Sequence, residues 1–114
     1  MANPILARAR AHYEAQGTQS IEVPEWGDDA TPLVVYWTPI TCAERQKITN
    51  RYKDGQSQEA LVYALILKAK DATGSAMFTL EDKQALMNGV DVAVVDRIAS
   101  AILAAQTVED AEKN

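Results

Sequence analysis

His12 and Cys42 are the only histidine and the only cysteine in this 114-residue chain, and they are the side chains best suited to covalent or acid–base chemistry. Nucleophilic catalysis needs a nucleophile, a base and a group that orients the base. Cys42 follows Thr41 at a helix-start pattern, where the first-turn amides of a helix favour a thiolate. His12, the one imidazole, falls in a separate Ala-rich segment, so the expected role of Cys42 is incidental packing at a helix start. Metal chemistry lacks its ligands as well, since a structural zinc site takes four and the sequence offers one His and one Cys. The carboxylates Asp28-Asp29, Asp71 and Glu81-Asp82 lack the alternating oxygen spacing and the glycine of a calcium loop. They read as solvated turns and helix caps. The five glycines are scattered breakers and form no phosphate-cradling loop. The chain is therefore read as non-enzymatic, with no cofactor and no metal.

Charge narrows the partners. Sixteen acidic against eleven basic residues give a net charge of −5. A nucleic-acid binder presents a basic face that displaces counterions from phosphates. Here the basic residues Arg8, Arg10, Arg45, Lys47, Arg51 and Lys53 are split into two groups and interleaved with acids, which argues against nucleic acid. One cysteine allows no intrachain disulfide and fits a reducing compartment. The N-terminus lacks the charged-then-apolar signal-peptide pattern. The longest apolar run, Ala60 to Leu67, is far short of the ~20 residues a spanning helix needs, so no membrane partner is expected.

The length suits one domain, and an apolar fraction of 47% suffices for one modest core. Residues 1–107 read as a single domain, opened by a loosely packed helix within 1–17, and 108–114 as a disordered polar tail. Asn3-Pro4 starts the first helix, because Asn caps and Pro fits the first turn, and Gly17 stops it. Its apolar face (Ile5, Leu6, Ala9, Tyr13) is narrow. Ser20 to Pro24 and Leu33 to Thr38 alternate as strands of a hairpin, with Ile21, Val23, Val35 and Trp37 on the core side and a turn at Gly27-Asp28-Asp29. Thr41-Cys-Ala-Glu44 is a capping box opening a helix to about Lys53, with Ile48 and Tyr52 on one face and a break at Gly55. Ser57 to about Asp71 is a second helix, apolar all round as a central helix is, with a buried strand as the competing reading. Thr79 opens a short helix that ends at Gly89. Asp91 then caps a last helix with an apolar stripe at Val92, Val95, Ile98, Ala99, Ile102 and Leu103. The fold class is α+β: four to five helices with one small antiparallel hairpin.

The aromatics are the remaining candidates for binding. Trp37 on the core side and Phe78 before a cap have structural reasons to be there. Trp26 lies in a Pro-Glu-Trp-Gly turn at a loop tip, where an indole can either fold back over the hairpin or anchor a protein partner. Trp26, with Pro24 and Tyr36, is the partner-binding candidate, together with the exposed side of the last helix.

Four motifs occur in fixed order: Val23-Pro-Glu-Trp-Gly27, Val35-Tyr-Trp37, Thr41-Cys-Ala-Glu-Arg45, and Phe78-Thr-Leu-Glu-Asp82 running on to Leu86. Together, over about residues 18 to 104, they resemble the small tail assembly chaperones of long-tailed bacteriophages and gene-transfer particles. The chain departs from that pattern at Cys42, at Trp37 and in the Thr73–Met77 segment before Phe78. The resemblance implies a non-enzymatic chaperone of the host cell cytoplasm that binds and solubilises the tape-measure protein and helps recruit tail-tube subunits. It also leaves room for self-association and for a frameshifted C-terminal extension. The competing readings are a tail-completion or head–tail connector subunit retained in the virion, a small enzyme using Cys42, and a host adaptor domain.

Overall fold

The computed structural model describes residues 3–28, 30–54 and 57–104. It is α+β: five helices and one two-stranded antiparallel sheet. The elements are α1 (Pro4–Gln16), β1 (Gln19–Asp28), β2 (Thr31–Trp37), α2 (Cys42–Arg51), α3 (Gln58–Lys68), α4 (Lys83–Asn88) and α5 (Val92–Leu103), with a 3-10 turn at Leu80–Asp82 leading into α4.

Local chemistry sets most helix starts. Asn3 Oδ1 accepts from the Ile5 and Leu6 amides at 2.9 and 3.1 Å, and Pro4 takes the first helical position, where a missing N–H costs nothing. Gly17 ends α1 with φ +64°, a conformation that disfavours any side chain. The Thr41 box is complete: Glu44 N–H donates to Thr41 Oγ1 at 3.2 Å, and Thr41 N–H donates to Glu44 Oε1 at 3.0 Å. Ser57 Oγ caps α3 through the Ala60 amide. Asp91 does occupy the cap position of α5, but its side chain makes no capping bond. The Asp91 carbonyl alone enters the helix, accepting from Val95 N–H at 3.2 Å.

α3 is the helix around which α2, α4 and α5 pack, which accounts for its being apolar on every side. Val62, Leu65 and Ile66 join Val23, Val35 and Trp37 of the hairpin and Val94, Val95, Ile98, Ala99 and Ile102 of α5 in the main core. Ala60 and Ala64 meet Ile48 of α2 on the other side, with Ile40, Tyr52, Tyr63 and Leu67 closing around them. Two small residues there allow α2 a close approach.

Four expectations need correction. The α5 stripe is buried as expected at Val95, Ile98, Ala99 and Ile102, but Val92, the first residue of the helix, is exposed and Val94 joins the core. α3 stops at Lys68 rather than near Asp71, because Ala69 turns extended and Lys70 pairs with Tyr36 through two backbone bonds of 2.8 and 2.9 Å. α2 ends at Arg51 rather than Lys53, where Tyr52 turns extended. The fourth concerns the first strand, which runs past Pro24 and past Gly27 to Asp28. The break expected at Gly55, and the tail from Val108, lie outside the described residues.

Candidate functional site

The extension of β1 relocates Trp26. The ladder is regular from Gln19↔Trp37 to Val23↔Leu33 and then slips, resuming only at Asp28↔Thr31. Residues 24 to 27 have no Cα partner, and Pro32 alone spans the gap on β2. Pro24 and Pro32 have no N–H to give a ladder, so pairing lapses where they stand and β1 bulges. The Pro-Glu-Trp-Gly motif is that bulge. Gly27 is required within it, because a Cβ there would overlap the Thr31 carbonyl oxygen and lie 2.7 Å from Pro32 Cα.

Trp26 is therefore not at a loop tip. It is half-buried and meets the Phe78 ring edge-on, with centroids 6.4 Å apart and planes at 80°. Both rings pack against the main core. An open cleft of about 230 Å³ remains beside Trp26, walled by Gly27, Asp28, Thr31, Pro32 and Leu33. Pro24 is exposed, on the bulge. Tyr36 is half-buried near the far end of the hairpin, opposite Ser20, and lines a different cleft of about 300 Å³ with Trp37, Lys70 and the 71–74 turn. The structure thus groups Pro24 with Trp26 and separates Tyr36 from both.

Sequence reasoning missed Glu25 and Arg97. Arg97 Nη1 and Nη2 donate to Glu25 Oε2 and Oε1 at 2.9 and 2.6 Å, a bidentate clamp from α5 to the bulge. The Arg97 bonds, joined by a backbone amide, hold the Glu25 carboxyl down at about 2, from an ordinary value of 4.5. Glu25 correspondingly holds the guanidinium of Arg97 above its usual range. The clamp makes one surface of two parts that the sequence had named separately, the Trp26 segment and the outer side of α5. Only local spacing is visible in a sequence, and this pair is far apart along the chain.

A third missed residue is Lys68. Its side chain is 2% exposed, and Nζ donates to Glu44 Oε1 at 2.8 Å and to Thr38 Oγ1 at 3.1 Å. Burial pushes the Glu44 carboxyl up, but the Lys68 ammonium and the Thr41 amide pull it down harder, and the net shift is downward. Glu44 thus serves two elements, capping α2 and neutralising α3. A lysine in the last turn of a helix ordinarily reads as solvated, so composition gave no signal of its burial.

The residues suited to catalysis are not brought together. Cys42 is exposed as the first residue of α2, and His12 is exposed on α1. Asp71 organises its own turn, accepting from the Thr73 amide at 2.8 Å, the Thr73 hydroxyl at 2.5 Å and the Ser75 amide at 3.1 Å. Those bonds, the Thr73 hydroxyl first, hold its pKa down. Asp82 accepts from the Thr79 amide at 2.8 Å, as a cap does. Among the described residues no group of three or more His, Cys, Asp or Glu is placed to hold a metal ion, and no helix is long and apolar enough to cross a membrane. The chain matches no family model, no curated protein and no solved structure.

Proposed function

We propose that this chain is a tail assembly chaperone of a long-tailed bacteriophage or related particle. It works without catalysis, binding the tape-measure protein, keeping it soluble in the host cytoplasm and helping to recruit tail-tube subunits. The reading starts from the four ordered motifs. The observation that carries it is the contact of Trp26 with Phe78, because the first and last motifs meet in space and form one structural unit. The client surface is the bulge with its cleft and the outer side of α5, joined by the Glu25–Arg97 clamp. A long helical client suits such a surface, since spaced apolar anchors enter shallow grooves between elements.

Co-expression with the tape-measure product tests the surface. Trp26→Ala lowers the soluble fraction of the client, and Ser100→Arg, on the exposed side of α5, lowers it without touching the core. Client solubility unchanged by both would move the binding face elsewhere. The competing assignment to a virion subunit is separated by mass spectrometry of purified particles, in which abundant peptides of this chain would overturn the chaperone reading.

A further inference from the structure

Pro24, Glu25 and Trp26 fall where the ladder lapses, between Val23, paired with Leu33, and Asp28, paired with Thr31. Side chains hold them instead. Trp26 meets Phe78 edge-on, and Glu25 takes the two-pronged bond from Arg97. The ends of this segment are fixed. Val23 is fully buried, and Gly27 lies so close to Thr31 and Pro32 that no Cβ fits there. The middle is not fixed in that way. Pro24 is exposed, Glu25 is 46% exposed, and Trp26 is half-buried with the open cleft beside it.

That combination is what a local opening needs. A segment opens with the rest of the fold intact when few backbone bonds must break and little buried apolar area is given up. Here no ladder pair has to part, because pairing is absent between Val23 and Asp28. The two ties also run to different parts of the domain, Phe78 ahead of the 3-10 turn and Arg97 on α5. An exposed ion pair changes an equilibrium only a few-fold. That is too little to govern global unfolding, and enough to set the ratio of open to closed forms in a segment held this lightly. Opening parts the Trp26 and Phe78 rings and presents both to solvent, so the cleft gains two aromatic anchors.

We propose that residues 24–26 form a latched flap, which opens about Val23 and Gly27 while the rest of the domain stays folded. The Glu25–Arg97 pair is its latch, and Phe78 is the seat of Trp26. The inference concerns the fold and does not rest on the phage assignment. Fluorine NMR of the full chain labelled with fluorotryptophan tests it. The chain has two tryptophans, and Trp37, 6% exposed in the core, is the internal control. Trp26→Phe assigns the signals. The readout is the change of each fluorine shift between light and heavy water, which grows with contact between ring and solvent. For Trp26 it should move toward the value of the urea-unfolded chain in E25Q and in R97M, as the open-to-closed ratio rises about two- to fivefold. The double variant E25Q/R97M should go no further than either single one, since the same latch is lost in all three. Salt should move the wild type in the same direction and leave the variants where they are. Trp37 should hold its value throughout. A Trp26 signal unmoved in both single variants overturns the proposal. So does a double variant in which the two effects add, or a Trp37 signal that moves together with that of Trp26.

Discussion

Glu25 and Glu44 stand in two of the motifs that give this chain its character, and each holds a cation from a distant helix. The environments differ, and so do the consequences. Glu44 is 27% exposed but reaches a lysine that is 2% exposed, so the cationic end of the pair is buried and the pair is screened less than one at the surface. Glu25 meets Arg97 at the surface, where the two side chains are 46% and 42% exposed and water and salt compete. The geometry of the surface clamp is the better of the two, bidentate against a single bond, yet burial decides which pair the fold depends on. In one place a motif glutamate neutralises a buried cation. In the other it fastens the bulge of β1 to α5.

The largest effect is expected from Glu44→Ala, which leaves the Lys68 ammonium buried without a counter-charge and removes half of the α2 cap. Urea denaturation should show a loss of about 3–5 kcal/mol, the usual cost of breaking a buried pair from one side. Gly27→Ala attacks the other region through its backbone and should cost about 1–3 kcal/mol as overpacking against Thr31 and Pro32. A loss larger than that of Glu44→Ala would reverse the ranking. Replacing both members of the buried pair, in Glu44→Gln with Lys68→Met, should come within about 1–2 kcal/mol of wild type, because no charge is left stranded. Arg97→Met should leave the denaturation midpoint unmoved. Its effect belongs instead in a carboxyl titration followed by NMR, where Glu25 moves from about 2 toward its ordinary 4.5.

The pH dependence follows from the same two carboxylates. Both have pKa values depressed on folding, so each contribution is complete above the ordinary value of 4.5 and is lost as pH falls through the folded value. For Glu25 that window runs from 4.5 down to about 2, and screening keeps its contribution small. Of these two, Glu44 should therefore weigh more in acid unfolding. A Glu44→Gln variant should lose much of the wild-type dependence below pH 4.5, whereas Glu25→Gln should keep it.

How much of this was legible in the sequence depended on distance along the chain. Capping chemistry works over three residues, and Asn3 and Thr41 with Glu44 cap as their spacing predicts, whereas Asp91 holds the cap position of α5 without a side-chain bond. The all-round apolar character of α3 identified the central helix, because its two sides meet two different clusters. What escaped was register and long-range pairing. Alternation through Val23 gave no sign that the strand continued past Pro24 as a bulge, so Trp26 was expected in a turn. Val92 fits the helical spacing, but as the first residue of α5 it lies exposed, and spacing alone does not show where a helix enters the core. The partners of Lys68 and Arg97 lie on other elements, where no local pattern reaches. At the candidate site, Trp26 and Pro24 were visible as residue types, and the clamp that builds a surface from them was not.

The central claim is that this chain binds the tape-measure protein and keeps it soluble. Its most direct test is co-expression of the tagged full chain with the untagged tape-measure product, followed by affinity capture from the soluble fraction. The account predicts that the tape-measure protein becomes soluble and is retained with the tagged chain. A client that remains in the insoluble fraction, or is soluble but not captured, would contradict it.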